Sequence, residues 1–167
     1  MRRFRIEVAY DGTAYHGWQV QTGLATIQGT LEEVISALEG GHVDVEGSGR
    51  TDAGVHALAQ VAAFSLENPI PAANLLKAIN RQLPRDIRTC SVEEVLEGFH
   101  QRFDARAKTY EYRIFRGEVC SPFERNYVLH HPYPLDEEAM IRLAPLFEGE
   151  HDFSAFASSD EKDSPGR

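Results

Sequence analysis

The sequence contains little cysteine: Cys90 and Cys120 are the only two in 167 residues. Two thiols cannot build the disulfide framework of a small secreted domain, and neither lies in a Cys-x-x-Cys zinc motif. Met1 to Arg3 resembles the start of a signal peptide, but Arg5 and Glu7 leave no apolar segment behind it. We therefore expect a reduced, cytoplasmic protein.

Long hydrophobic runs are also missing. The longest uncharged stretch, residues 12–31, contains four glycines, four threonines and three glutamines. A membrane helix needs about 20 mostly apolar residues, so we expect no membrane segment. The content of 42% hydrophobic and 26% charged residues is typical of a globular domain. We predict one domain over residues 1–157 and a polar tail, or the start of a further half, over residues 158–167.

Positive charge is in short supply, with 17 Lys and Arg against 26 Asp and Glu and a net charge of −9. This balance argues against a simple electrostatic binder of nucleic acid. The deficit is uneven, because residues 1–116 carry a net charge of −2 and residues 117–167 carry −7. Residues 81–116 hold eight Lys or Arg against six carboxylates and are locally basic.

Hydrophobic periodicity predicts alternating strands and helices. Strands are predicted over residues 4–10, 43–47, 60–66, 87–95 and 110–116, and helices over residues 27–38, 71–83 and 136–147. This order predicts an α+β fold, in which an antiparallel sheet carries helices on one face in a broadly ferredoxin-like arrangement. We expect Tyr112 and the amphipathic helix 136–147 to pack in the core.

The most unusual segment is residues 47–57, GSGRTDAGVHA, which holds three glycines in eight residues. Glycines permit tight turns and close approach of a ligand to the backbone, and Arg50, Asp52 and His56 lie among them. Glycine and aspartate are also ordinary turn residues. Composition alone therefore leaves both a binding loop and a plain turn open.

Five segments, in order along the chain, resemble the tRNA pseudouridine synthase A family. The strongest are GRTDAGVHA at residues 49–57, YDGTAYHGWQ at residues 10–19, and FHQRFDARAKTYEY at residues 99–112. Asn80 with Leu83, Pro84, Asp86 and Ile87 fits between them, and HDFSAF at residues 151–156 fits after them. The resemblance implies the N-terminal half of a pseudouridine synthase catalytic fold.

The resemblance implies an enzyme that isomerises uridine to pseudouridine in the anticodon stem-loop of tRNA, typically at positions 38 to 40. Such enzymes use no cofactor and no metal, and the intact protein is expected to be a homodimer that binds tRNA. Asp52 matches the essential aspartate. Tyr110 matches a tyrosine that lies against the flipped base, and Arg50 is expected to contact the RNA backbone or to fill the space that the base leaves.

A single carboxylate suits this reaction. An ionised Asp52 can attack C1′ or remove the 2′ proton to give a glycal, and the sequence leaves both routes open. Glycosidases need a pair of carboxylates because they activate water or protonate a leaving group, whereas here the base is retained. Arg50, two residues away, is expected to favour the ionised form of Asp52.

The locally basic stretch supplies further candidates for RNA contact. His100, Arg102, Arg106 and Lys108 are expected to contact phosphates, with solvated surface charge as the alternative. His56 is expected either to contact RNA or to form hydrogen bonds within its own loop. Tyr15, His16 and Trp18 are stacking groups or part of a structured loop beside the site.

The resemblance ends near residue 156, whereas the family continues into a second half that carries a basic partner for the essential aspartate. We therefore expect either a fragment or a naturally shortened chain, with weak or no activity by itself. Two other classes remain open. One is a non-catalytic RNA-binding module of the same shape, and the other is a metal-dependent hydrolase using Asp52, His56 and His130.

Overall fold

The computed structural model describes residues 1–156, so the predicted tail over residues 158–167 lies outside the described residues. The strands are β1 (Arg2–Tyr10), β2 (Glu46–Gly47), β3 (Ala57–Leu66), β4 (Ile87–Val95), β5 (Ile114–Phe115) and β6 (Leu129–His130). The α-helices are α1 (Ile27–Glu39), α2 (Ala72–Gln82) and α3 (Glu137–Leu143). Short 3-10 helices occupy Gly12–Ala14, Ala144–Phe147 and Ser154–Phe156. Over residues 1–156, no helix has the length and apolarity to cross a bilayer.

Four strands form one antiparallel sheet in the order β2-β3-β1-β4. β1 lies inside the sheet, where Phe4 is opposite Phe64 of β3 and Ile6 is opposite Val92 of β4. With α1 between β1 and β2, and α2 between β3 and β4, this is the ferredoxin-like split βαβ arrangement. The predicted antiparallel α+β fold is confirmed.

The first helix begins and ends where the sequence predicts. The Thr26 hydroxyl accepts a hydrogen bond from the N–H of Gly29 at 3.3 Å, an N-terminal cap. Gly40 ends the helix with φ 85°, a left-handed conformation that glycine adopts without strain.

Both α1 and α2 cover the same face of the sheet. Their apolar side chains form one buried cluster with the inward-facing residues of β1 and β3. Leu31 of α1 and Ile79 of α2 are fully buried there, and the rings of Phe4 and Phe64 stack at 5.8 Å between centroids. Burial of this apolar surface is the main stabilising term of the domain.

The opposite face of the sheet is polar. Arg3 and Arg5 alternate with the buried residues of β1 and point away from the helices. Arg3 pairs with Glu46 at 2.5 Å, and Arg5 pairs with Glu93 at 3.2 Å. These pairs connect β1 to β2 on one side of the sheet and to β4 on the other. Partly exposed ion pairs nevertheless contribute little to stability.

The predicted strand over residues 43–47 is shorter in the structure, where β2 contains only Glu46 and Gly47. Val43 and Val45 are nevertheless buried in the core. The N–H of Val45 donates to the carboxylate of Glu32 at 3.1 Å instead of to a strand. A side-chain acceptor on α1 therefore replaces part of the predicted ladder.

The prediction of a strand over residues 110–116 is largely wrong. Only Ile114 and Phe115 form a strand, and they pair in parallel with β6 in a separate two-stranded sheet. Tyr112 is 90% exposed, which contradicts its predicted place in the core. An alternating pattern makes a strand only where a neighbour supplies hydrogen-bond partners, and residues 110–112 pair with no strand in residues 1–156.

The third predicted helix forms, but its predicted burial is wrong. Asp136 caps α3 by accepting from the N–H of Ala139 at 2.8 Å, and a 3-10 turn continues it to Phe147. Ile141 and Leu146 are 72% and 67% exposed. Amphipathic spacing gives a helix an apolar side but does not determine what covers that side.

Leu31→Ala should lower the free energy of unfolding by about 2–4 kcal/mol, because it leaves a cavity between α1 and the sheet. Urea denaturation monitored by circular dichroism measures the loss. Leu96→Ala is the matched control, since Leu96 is 85% exposed and should change stability little. Equal losses for the two variants would contradict the assigned core.

Candidate active site

The Asp52 loop, residues 48–56, connects β2 to β3 and packs against the loop that follows β1. The hydroxyl of Tyr10 lies 2.9 Å from the Thr51 hydroxyl, and the N–H of Trp18 donates to the Thr51 carbonyl at 3.0 Å. Tyr10 and Trp18 are 4% and 2% exposed. The residue before Asp52 is therefore fixed to the core through two buried aromatic residues.

Two glycines allow the loops to approach this closely. A Cβ on Gly12 would lie 2.0 Å from the carbonyl oxygen of Val55, and a Cβ on Gly17 would lie 2.5 Å from that of Thr51. Gly17 also has φ +88°, a conformation that L side chains rarely adopt. Backbone atoms cannot move aside as a flexible side chain does, so any larger residue at either position must displace the Asp52 loop.

Asp52 itself lies on a tight, exposed turn. Its carbonyl accepts from the N–H of Val55 at 3.2 Å, and the N–H of Gly54 donates to the Tyr15 carbonyl at 3.2 Å. In residues 1–156 the Asp52 carboxylate forms no ion pair. The turn presents the carboxylate to solvent on a backbone held from both sides.

A cationic cleft of about 600 Å³ lies beside β2 and the start of the Asp52 loop. Four of the predicted RNA-contacting residues line it, namely Arg50, His100, Arg102 and Lys108. The ammonium group of Lys108 is so close to Gly49 that a Cβ there would lie 2.8 Å from it. The side-chain amide of Gln60 donates to the Gly49 carbonyl at 2.7 Å and holds the cleft wall in place.

The other predicted site residues do not line this cleft. Tyr110 is 69% exposed and Arg106 is exposed, both on the irregular backbone before β5. The structure therefore brings the residues predicted to contact phosphates together beside the Asp52 loop, with the exception of Arg106. Tyr110 lies outside this cleft.

His56 is engaged within the protein. Its Nε2 donates to the Asn126 carbonyl at 2.7 Å, and its Nδ1 lies 3.1 Å from both the Gly12 nitrogen and Oδ1 of Asp11. Both ring nitrogens therefore have protein partners, which favours the structural alternative for this histidine over direct RNA contact. Tyr15 and Trp18 are buried, which likewise favours the structured-loop alternative.

Asp11 is a residue that the sequence did not identify as part of the site. Burial by itself raises the pKa of the Asp11 carboxyl. Hydrogen bonds from the Thr13 hydroxyl, the Tyr127 hydroxyl and the Thr13 N–H lower this pKa, and so does attraction from His56. The lowering effects are larger than the effect of burial, and the pKa is about 2. Asp11 is thus ionised at neutral pH. The Asp11-Gly12 sequence indicates a turn. No sequence pattern indicates that Tyr127, which is distant along the chain, contacts Asp11.

The histidines and carboxylates of residues 1–156 do not gather into a metal site. In the described part of the chain, no group of three or more His, Cys, Asp or Glu side chains is placed to hold an ion. His130, part of the hydrolase alternative, donates from Nε2 to the Gly117 carbonyl at 2.9 Å. His56 and His130 are therefore bound to separate parts of the protein, and neither contacts the Asp52 carboxylate in residues 1–156.

The α+β fold, the exposed carboxylate on a rigid loop and the cationic cleft are together typical of an RNA-modifying domain. A family model described as tRNA pseudouridine synthase matches residues 6–104, which include Asp52 and most of the cleft. This chain belongs to the tRNA pseudouridine synthase family.

Curated relatives are similar over nearly the whole chain. The tRNA pseudouridine synthase A of Solibacter usitatus (strain Ellin6076) is 68% identical over 167 residues, which cover 100% of this chain and 70% of the relative. Those of Limosilactobacillus fermentum and Lactobacillus delbrueckii subsp. bulgaricus are each 46% identical, covering 95% and 94% of this chain and 63% and 61% of the relatives. The chain thus spans about two thirds of the length of these relatives.

Gly12→Ala should lower the free energy of unfolding by about 1–3 kcal/mol, because the new methyl group overlaps the Val55 carbonyl. Gly41→Ala is the control, since nothing lies within 4 Å of a Cβ there. Urea titrations of the two variants give the comparison. Similar stabilities would mean that the two loops are not in close contact.

Proposed function

We propose that this chain carries the catalytic centre of a tRNA pseudouridine synthase, which isomerises uridine in the anticodon stem-loop at positions 38 to 40 with Asp52 as the essential carboxylate. The main support is the geometry of the Asp52 loop, in which an exposed carboxylate is held on a backbone fixed to the core. Membership in the family supports the reaction type.

The reaction retains all heavy atoms of the nucleoside. In one route the Asp52 carboxylate attacks C1′ and displaces uracil through N1, the base turns, and C5 attacks C1′ and expels the carboxylate. In the other route Asp52 removes the 2′ proton while uracil leaves C1′ through N1, which gives a glycal; C5 then bonds to C1′, and Asp52 returns the proton to C2′. In both routes the C5 proton is lost and N1 gains a proton. A group held rigidly near C1′ contributes to rate by avoiding reorientation.

The cationic cleft supplies the tRNA-binding surface in this proposal. Arg50, Arg102 and Lys108, with His100, contact phosphates on either side of the target nucleotide. The target base must leave its stack to reach Asp52, and the exposed ring of Tyr110 stacks on it. Arg106, on the same exposed segment, adds a further phosphate contact.

We propose that the intact protein acts as a homodimer in the cytoplasm, without cofactor or metal. The support for self-association is the apolar surface exposed on residues 137–156, including Ile141 and Leu146. A non-catalytic RNA-binding module would use the same cleft, but it would not need the Asp52 carboxylate.

Asp52→Asn should abolish pseudouridine formation and leave the dissociation constant for tRNA nearly unchanged, because the amide cannot act as nucleophile or base. Tritium release from tRNA labelled at C5 of uridine, measured with protein in excess, detects slow turnover. The exposed Asp44→Asn is the control. Release by Asp52→Asn at the wild-type rate would reject Asp52, and no release by the wild type would contradict the proposal that this chain by itself carries the catalytic centre.

Lys108→Gln should weaken tRNA binding and make it less sensitive to salt. Each lost phosphate contact lowers the slope of log K against log salt by roughly 0.7–0.9. Lys77→Gln, on the exposed side of α2, is the control for loss of one positive charge. Filter binding over a series of salt concentrations gives both quantities. Equal effects of the two variants would argue against the cleft as the tRNA site.

A further inference from the structure

The segment of residues 121–128 lies against the Asp52 loop although it is far away in sequence. Its Asn126 carbonyl accepts the hydrogen bond from Nε2 of His56. The hydroxyl of Tyr127 donates to Oδ2 of Asp11 at 2.6 Å. The rings of His56 and Tyr127 are 5.0 Å apart between centroids and tilted by 51°. We call these four residues, Asp11, His56, Asn126 and Tyr127, the latch.

The latch acts on one end of the Asp52 loop. The other end is fixed by Tyr10 and Trp18, which are buried. The end after Asp52 has weaker anchors, since residues 52–55 are exposed and Gly54 makes a single backbone hydrogen bond to the Tyr15 carbonyl. In addition to the Gly54 hydrogen bond, the ring of His56 contacts both the loop after β1 and residues 121–128.

Asp11 joins the parts of the latch. Its Oδ1 accepts from the N–H and the hydroxyl of Thr13 and lies 3.1 Å from Nδ1 of His56, while its Oδ2 accepts from Tyr127. Hydrogen bonds to an ionised carboxylate are roughly twice as strong as neutral ones. The Tyr127 hydroxyl is therefore a substantial part of what holds the Asp11 and His56 side chains together.

We propose that Tyr127 is a positioning residue, which acts through Asp11 and His56 to fix the end of the Asp52 loop and so to aim the Asp52 carboxylate at C1′ of the bound uridine. The inference rests on the proposed function, because it takes Asp52 as the reacting group. A misplacement of about 1 Å at a reacting group costs on the order of a hundredfold in rate, so a tether at this end affects turnover without touching the RNA.

Tyr127→Phe is the test, because it keeps the ring on His56 and removes only the hydroxyl. Tyr133→Phe is the matched control, since Tyr133 is 69% exposed and its hydroxyl makes no hydrogen bond in residues 1–156. Amide hydrogen exchange by NMR reports the loop through the N–H groups of Gly12, Gly54 and Val55. We expect these to exchange about three- to tenfold faster in Tyr127→Phe, with Trp18 unchanged.

Activity is the second readout of the same variants. The single-turnover rate of tritium release should fall about tenfold in Tyr127→Phe, with the tRNA dissociation constant unchanged, and Tyr133→Phe should match the wild type. Asp11→Asn should lower the rate in the same direction. Adding Tyr127→Phe to Asp11→Asn should have little further effect, because the two side chains act as one unit.

The outcomes separate this inference from the proposed function. Unchanged exchange at Gly12, Gly54 and Val55 overturns the latch, and so does a uniform increase that includes the amides of β1, which would indicate general destabilisation. Faster loop exchange with an unchanged rate overturns the positioning role. A wild-type chain without tritium release refutes the proposed function, and the exchange result then still decides whether Tyr127 fixes the loop.

Discussion

The close contact between two loops is the constraint on which the rest of the site depends. The backbone after β1 and the Asp52 loop approach so closely that Gly12 and Gly17 leave no room for a Cβ. The same contact buries Trp18, whose ring rests against Gly47 of β2. One packing arrangement thus fixes the position of Asp52, the start of β3 and one wall of the cationic cleft.

The sequence predicted β1, β3 and β4 and the helices α1 and α2 well, because each has a local pattern and a partner nearby in the fold. β1 alternates cleanly between buried and partly exposed residues, and α1 has both a capping threonine and a terminating glycine. The prediction failed at Tyr112 and at the packing of α3. Periodicity describes which sides of an element are apolar, and it contains no information on which distant segment will cover them.

The site was predictable in its residues more than in its geometry. The motif around Asp52 pointed to the reacting carboxylate, and the basic stretch pointed to cations that do line one cleft, as Arg102 and Lys108 show. The contact of Asp11 with Tyr127 joins residues 116 positions apart. No propensity or spacing rule relates residues at that distance, so only the fold reveals the contact.

The central place of β1 in the sheet has a consequence for how the chain is made. Tyr10 pairs with Ala57, and Arg3 pairs with Val95. A ribosome adds about 5–20 residues each second, so β1 emerges several seconds before its second partner exists. During that time the edge that later pairs with β4 is open to other chains. The arginines at alternate positions of β1 place charge on one face of this unpaired strand, which discourages aggregation of the nascent polypeptide.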